Sequence, residues 1–176
     1  DQYNLTLVTE EKGKEKAKMN IIGLLEPGQN QLFIGESPSL RATRLEGSSK
    51  DNNDEAVKYM MPKMVLRREG ENLTSNFITA MEPYSSEGVP RIDNIERLTP
   101  DQAVEGDIAV KVTYGNITDI ILSSLAPDQP LVIGDMILKG KMGMIRLKDG
   151  EVEELYLVGG TSLKKGDIEV TGEGAI

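Results

Sequence analysis

The residues of this chain most suited to chemistry are an oxygen-rich window and a set of arginines. The window carries carboxylate and amide oxygens at Asp51, Asn53, Asp54 and Glu55. Hard oxygen ligands of this type suit Ca²⁺, which takes roughly six to eight of them. The spacing departs from an EF-hand loop, which needs an internal glycine and a terminal bidentate glutamate. Two interpretations stay open here, a calcium site and a solvated loop.

Guanidinium groups in the middle of the chain could bind an acidic ligand. The planar fork of an arginine holds a carboxylate or a sulfate in a bidentate manner. Neighbouring residues of a strand point to opposite faces, so Arg67 and Arg68 cannot both join one patch. The candidate contacts are therefore Arg67 and Arg91, with Arg97 nearby. The competing interpretation is cross-strand pairing with the glutamates of the same region, Glu69, Glu82 and Glu96.

Aromatic side chains could add a stacking surface for a sugar ring. The chain has five tyrosines and no tryptophan, so it lacks the flat platform that crystalline cellulose requires. Tyr84, which follows Pro83 at the end of a strand, is the first candidate, and Tyr59 is the second. Capping of the fold by the Tyr84 phenol remains the alternative. A glycan site would then be a groove for a single chain or a polar edge.

The composition argues against catalysis by this chain alone. It contains no histidine and no cysteine, which removes the commonest general base and every thiol nucleophile. The formal net charge is −9, which disfavours nucleic acid and anionic membrane surfaces. No apolar stretch approaches the roughly 20 residues needed to span a bilayer, so we expect no membrane insertion. The chain needs no cofactor, apart from the Ca²⁺ considered above.

The elements that would position these side chains are short strands between turn signals. Period-two alternation and a near absence of helical periodicity predict an all-β fold, a large antiparallel β-sandwich of the supersandwich type with little or no helix. A single domain is expected over residues 1–176. Three hairpins are predicted, with turns at residues 10–18, 70–72 and 115–116, followed by a meander over residues 131–158.

Several of these strands resemble the C-terminal β-sandwich region of heparinase II/III-like polysaccharide lyases. The resemblance spans about residues 31–148. It is carried by an arginine-containing apolar strand, a strand ending in Glu-Pro-Tyr and an Ile-x-x-Ile-Glu-Arg-Leu run. These are found within four segments, residues 62–70, 75–84, 92–98 and 115–124. In such lyases an α/α-toroid supplies most catalytic side chains, and none of those catalytic positions has a match here.

The resemblance implies a non-catalytic accessory β-sandwich of a secreted polysaccharide-degrading protein. Its expected partners are a polysaccharide, for which an acidic glycan is a candidate, and a neighbouring catalytic domain of the parent chain. The start at Asp1, with no initiator Met or signal pattern, suggests a fragment of a larger multidomain protein, extracellular or on a bacterial cell surface. Two alternatives stay open: a calcium-stabilised adhesion or cell-surface module, and part of a lyase that is active only with its missing toroid.

Overall fold

The computed structural model describes residues 1–38, 57–102 and 104–173, and its regular structure there consists entirely of β-strands. Every strand pair is antiparallel. The predicted all-β, antiparallel, sandwich-like class is therefore confirmed. In agreement with the prediction of little or no helix, the described residues contain no helix. Within the described ranges, no helix is long and apolar enough to cross a membrane.

The strands follow one another with short connections, except where the described ranges are interrupted. In chain order they are β1 (Gln2–Glu11), β2 (Lys14–Leu24), β3 (Asn30–Pro38), β4 (Met60–Arg68), β5 (Ile78–Ser85), β6 (Asn94–Arg97), β7 (Ile108–Tyr114), β8 (Ile117–Ser123), β9 (Leu131–Ile133), β10 (Met136–Lys148), β11 (Glu151–Lys165) and β12 (Ile168–Thr171).

These strands belong to two compact units. The larger unit comprises Asp1–Glu26 and Thr74–Ile176, and the smaller unit comprises Pro27–Leu73. In the smaller unit β3 and β4 form a two-stranded sheet. Pro62 lies within β4, and a proline is tolerated there because β4 pairs on one side only among the described strands. The organisation of residues 1–176 as a single domain stays a prediction.

The larger unit contains two sheets that pack face to face. A three-stranded sheet has the order β1-β2-β5, and a seven-stranded sheet has the order β12-β11-β10-β8-β7-β6 with β9 added beside β10. Ile22 and Leu24 of β2 pack against Ile95 of β6 and Val110 of β7. This aliphatic layer is the sandwich core that a chain so poor in aromatic residues must build.

A second core lies on the opposite side of the seven-stranded sheet and depends on a bend in β10. Leu138 and Ile145 are seven residues apart, so in a straight strand their side chains would point to opposite faces. The alternation of buried and exposed residues in β10 changes phase at Lys141 and Met142, which are both exposed, and Leu138 and Ile145 are therefore both fully buried in one cluster. Opposite this bend, β11 carries one extra residue, Thr161, between Gly160 and Ser162. At the bend, a Cβ on Gly140 would lie only 2.7 Å from the Cα of Gly160. The two glycines thus permit the close backbone approach that folds the sheet over this core.

Two of the three predicted hairpins are confirmed, and one is wrong. β1 pairs with β2, and β7 pairs with β8 around Gly115 and Asn116. The predicted meander is confirmed in the β9–β10 and β10–β11 pairs, but the separate strands expected at residues 136–138 and 142–147 are one continuous strand, β10. The hairpin expected around residues 70–72 does not form, because β4 pairs with β3 and β5 pairs with β2.

Candidate functional site

A shallow depression in the larger unit combines a cation with an aromatic ring and an apolar wall. Its volume is about 300 Å³. It forms where edge strand β5, the loop that follows it and the end of β7 come together. Its lining residues are Met81, Glu82, Pro83, Arg91, Ile92 and Tyr114.

The loop that carries Arg91 is held in place by a carboxylate of β5. One oxygen of Glu82 accepts the backbone N–H of Arg91 at 2.6 Å, and the other accepts the N–H of Ile92 at 3.1 Å. The loop is anchored again at Asp93, whose carboxylate accepts the N–H of Gly115 at 2.7 Å. Both oxygens of Glu82 are therefore engaged by the backbone, so this carboxylate serves to fix the loop.

The ring of Tyr114 is positioned by a polar network on the same sheet face. The Tyr114 hydroxyl donates to Oδ2 of Asp119 at 2.8 Å and accepts from Nη2 of Arg146 at 3.0 Å. Arg146 binds Asp119 in a bidentate manner, with distances of 2.8 Å from Nε and 2.9 Å from Nη2. The geometry follows from register, since Asp119 and Arg146 are directly opposite each other on β8 and β10.

This network determines the charge states around the ring. Burial and the hydrogen bond to Asp119 raise the pKa of the Tyr114 hydroxyl above its ordinary value. The Arg146 guanidinium lowers the pKa of Asp119, and Asp119 in turn raises the pKa of Arg146. Tyr114 therefore remains a neutral phenol at neutral pH, and its hydroxyl is already occupied as donor and acceptor. A ligand in the depression can therefore contact the Tyr114 ring and the other lining residues, but not a free Tyr114 hydroxyl.

Arg91 supplies the positive charge of the depression. Its guanidinium carbon lies 5.7 Å from the centroid of the Tyr114 ring, within the range of a cation–π interaction. The side chain is exposed, and no described residue offers it a carboxylate as an ion-pair partner. The N–H groups of this guanidinium can therefore donate hydrogen bonds to an incoming carboxylate.

The other arginines expected in a basic patch have different neighbours. Arg67 lies in the smaller unit and forms an ion pair with Glu69. Arg68 donates to the carbonyl oxygen of Pro27 at 2.8 Å. Arg97 forms an ion pair with Glu26. Arg67 and Arg97 thus form ion pairs with glutamates, but neither pair is of the cross-strand kind considered from the sequence, since Glu69 follows Arg67 by two residues and Glu26 lies beyond the end of β2.

The two tyrosines selected from the sequence lie in different units. Tyr84 is half-buried on β5, opposite Lys18 of β2, and belongs to the larger unit. Tyr59 is exposed just before β4 in the smaller unit. Neither lines the depression that contains Arg91. Glycan contacts by Tyr84, Tyr59 and Arg67 stay predictions.

The proposed calcium ligands Asp51, Asn53, Asp54 and Glu55 lie outside the described residues. Across the ranges that are described, no group of three or more His, Cys, Asp or Glu side chains is arranged to hold a metal ion. The calcium site therefore stays a prediction from composition alone.

Sequence reasoning missed most of the residues that frame Arg91. Tyr114 and Asp119 flank the Gly115–Asn116 turn, and a strict period-two reading of that hairpin would have placed them on one face as diagonal neighbours. Arg146 lies 27 residues beyond Asp119 in the chain, so no local pattern relates the two. Glu82 was considered only as an ion-pair partner, whereas it binds two backbone N–H groups.

Known proteins add no functional assignment to this geometry. No protein-family model, curated protein or solved structure matches the chain. The similarity to heparinase II/III-like lyases thus stays a prediction from the sequence, and a function must be argued from the depression itself.

Proposed function

We propose that this chain is a non-catalytic accessory β-sandwich that binds an acidic glycan for a secreted polysaccharide-degrading protein. One observation carries the proposal: Arg91 presents an exposed guanidinium over the Tyr114 ring, and no carboxylate among the described residues neutralises it. Arg91 thus places a positive charge beside an aromatic ring on a protein of net charge −9. This combination of a cation and a ring suits the binding of a sugar carboxylate.

The surroundings of Arg91 suit a uronate sugar. A guanidinium holds a carboxylate through two parallel N–H···O bonds, which fixes the orientation of the sugar as well as its charge. Met81, Pro83 and Ile92 provide an apolar wall for the C–H groups of a pyranose ring. The depression is open and shallow, which favours one sugar of an extended chain.

The charge states favour binding over catalysis. β-Elimination from a uronate requires a group that removes a proton from carbon. The raised pKa of Tyr114 keeps its phenol protonated, and its hydroxyl is bonded to Asp119 and Arg146. Both oxygens of Glu82 already accept backbone N–H groups. The acid–base groups nearest to Arg91 are therefore engaged in positioning the site.

A direct test is calorimetric titration of the purified chain with polygalacturonate at low and moderate salt. The wild type is expected to bind, and R91A to bind roughly tenfold more weakly or worse, because a charge-assisted hydrogen-bonded contact is lost. K139A removes one exposed positive charge from β10 and should leave the affinity within about twofold. R91K keeps the charge but loses the fork, so an intermediate affinity is expected.

Two results would contradict the proposal. One is the absence of binding to polygalacturonate, alginate and heparin alike by the wild type. The other is equal weakening by R91A and K139A, which would mean that net charge alone governs the interaction.

A further inference from the structure

The sheet face that carries Tyr114 continues beyond the depression. Directly opposed residues of an antiparallel pair project to the same side, and one such row runs from Asp119 through Arg146 to Glu154. The next row runs from Ile121 through Met144 to Tyr156. We call this surface the open face, defined by Asp119, Ile121, Met142, Met144, Arg146, Glu154, Tyr156 and Val158.

The open face is the part of the seven-stranded sheet that the three-stranded sheet leaves accessible. The buried core between the two sheets takes its side chains on the seven-stranded side from β6 and β7. Farther along, on β10 and β11, Met142 is 40% exposed, Val158 is 42% exposed and Tyr156 is 56% exposed. A large aromatic side chain thus stands in solvent on a surface that begins at the Arg91 depression.

The hydroxyl of Tyr156 is available for a hydrogen bond to a ligand. Among the described residues, its phenol has no hydrogen-bond partner, in contrast to Tyr114 and to Tyr3, whose hydroxyl meets Thr79 at 3.1 Å. A groove of about 400 Å³ adjoins this part of β11, and its lining includes Tyr156, the neighbouring residues Leu155 and Leu157, and Gly160 and Gly172. Leu155 and Leu157 alternate with Tyr156 along the strand and point to the opposite face, so the contact offered on the open face is the exposed Tyr156 ring itself.

The groove cannot readily be filled by substitution, because its glycines are required by the backbone. A Cβ on Gly160 would lie 2.5 Å from the Cα of Gly140, and one on Gly172 would lie 2.8 Å from the carbonyl oxygen of Gly160. The same close approach that bends the sheet therefore keeps this groove lined by backbone on the side where Leu157 lies.

The strand register also gives the distance between the Cα atoms of Tyr114 and Tyr156 across the sheet. From Tyr114 to Tyr156 the path crosses three strand spacings and four residue steps, or roughly 20 Å between Cα positions. Arg146 lies between them with its side chain 31% exposed, and its Nη1 is 4.0 Å from Glu154, beyond hydrogen-bond distance. Nη1 of Arg146 can therefore donate a hydrogen bond to a ligand that extends from Tyr114 to Tyr156.

We propose that Tyr156 is a second contact for the acidic glycan, so that the ligand is an extended oligosaccharide reaching from Arg91 across Arg146 to Tyr156. This inference rests on the proposed function, since it takes the glycan at Arg91 as given. The Tyr156 ring stacks on the C–H face of a distal sugar and its phenol bonds to a sugar hydroxyl. Short oligomers contact Arg91 alone, and only long ones reach Tyr156.

The test compares two lengths of one ligand series, digalacturonate and octagalacturonate, by calorimetric titration of the wild type, R91A and Y156A. Loss of one aromatic contact should weaken octagalacturonate binding to Y156A roughly three- to tenfold and leave digalacturonate binding unchanged. R91A should weaken the binding of both. F33A removes an aromatic side chain of similar exposure, 50%, from the smaller unit and should change neither. Y156F keeps the ring and should retain most of the length dependence.

The outcomes separate the inference from the function on which it rests. Failure of the wild type to bind either oligomer contradicts the proposed function. Binding that depends on Arg91 but is unaffected by Y156A at both lengths overturns the Tyr156 contact alone. Equal losses of octagalacturonate affinity in Y156F and Y156A would refute stacking on the ring. Self-association of the wild type that Y156A abolishes, with unchanged glycan affinity, would instead identify the open face as a protein interface.

Discussion

Arg91 and Tyr114 form a cation–π pair whose two members are held by separate carboxylates. Glu82 fixes the backbone that carries Arg91, and Asp119 fixes the hydroxyl of Tyr114. The guanidinium and the ring meet at 5.7 Å, which contributes about 0.5–1 kcal/mol at an exposed site. The greater consequence is preorganisation, since less side-chain entropy is lost when a ligand arrives.

Substitution of Tyr114 should separate the role of its ring from that of its hydroxyl. Y114F keeps the platform for Arg91, so we expect polygalacturonate affinity within about twofold of wild type and a stability loss of about 1 kcal/mol. Y114A removes the platform and should weaken binding roughly two- to fivefold. Titration calorimetry and urea unfolding measure both. If Y114F lost as much affinity as Y114A, the hydroxyl rather than the ring would contact the ligand.

Glu82 should act through the loop and not through the ligand. E82A removes the acceptor of two backbone N–H groups, so the amides of Arg91 and Ile92 should exchange with solvent at least about tenfold faster in hydrogen exchange. Glycan affinity should fall several-fold, and E82Q, with one carbonyl oxygen, should lie between. The matched control E96Q alters a carboxylate that pairs with Lys111 and should leave both amides unchanged. Unaltered exchange in E82A would argue against this anchor.

Asp119 should contribute to the loss of stability in acid. Its pKa is lower in the folded protein than in the unfolded chain, mainly because of Arg146. Between those two values the unfolded chain binds more protons, so the stabilisation is present above the unfolded pKa and is lost as pH falls through the folded one. Unfolding free energy should therefore decrease below about pH 4, and D119N should show a shallower decrease.

The exposed ion pair between Asp135 and Lys165 provides a comparison for the acid dependence of the unfolding free energy. Lys165 lowers the pKa of Asp135, but this pair is exposed, so D135N should alter the acid slope less than D119N. Urea unfolding between pH 2 and 7 gives the slopes of all three proteins. An acid slope in D119N identical to that of wild type would contradict the contribution of the Asp119–Arg146 pair.

Gly160 should tolerate no side chain. In G160A the new Cβ would overlap the carbonyl oxygen of Lys139 and the Cα of Gly140, which are backbone atoms that cannot move without disturbing the bend. We expect destabilisation of about 3 kcal/mol or more, measured by urea unfolding. G35A places a methyl group where nothing lies within 4 Å and should be nearly neutral. Equal stability of the two variants would show that the close approach at the bend is not required.

Much of the local architecture could be read from the sequence because it depends on neighbours in the chain. Alternating side chains and the Gly115–Asn116 turn predicted the β7–β8 hairpin. The sequence also singled out Arg91 as a candidate contact. It could not rank Arg91 above Arg67, because both are arginines of predicted strands with glutamates nearby.

Only the tertiary structure shows which strands pair with each other and which side chains are brought into contact. β4 and β5 are adjacent in sequence, yet each pairs with a different earlier strand. Arg146 reaches Asp119 and Tyr114 only because β10 lies beside β8. Period-two patterning specifies which face of a strand is apolar, but not which strand will lie beside it. That choice depends on the apolar area buried across the whole sheet, which is a property of the folded chain and not of any segment.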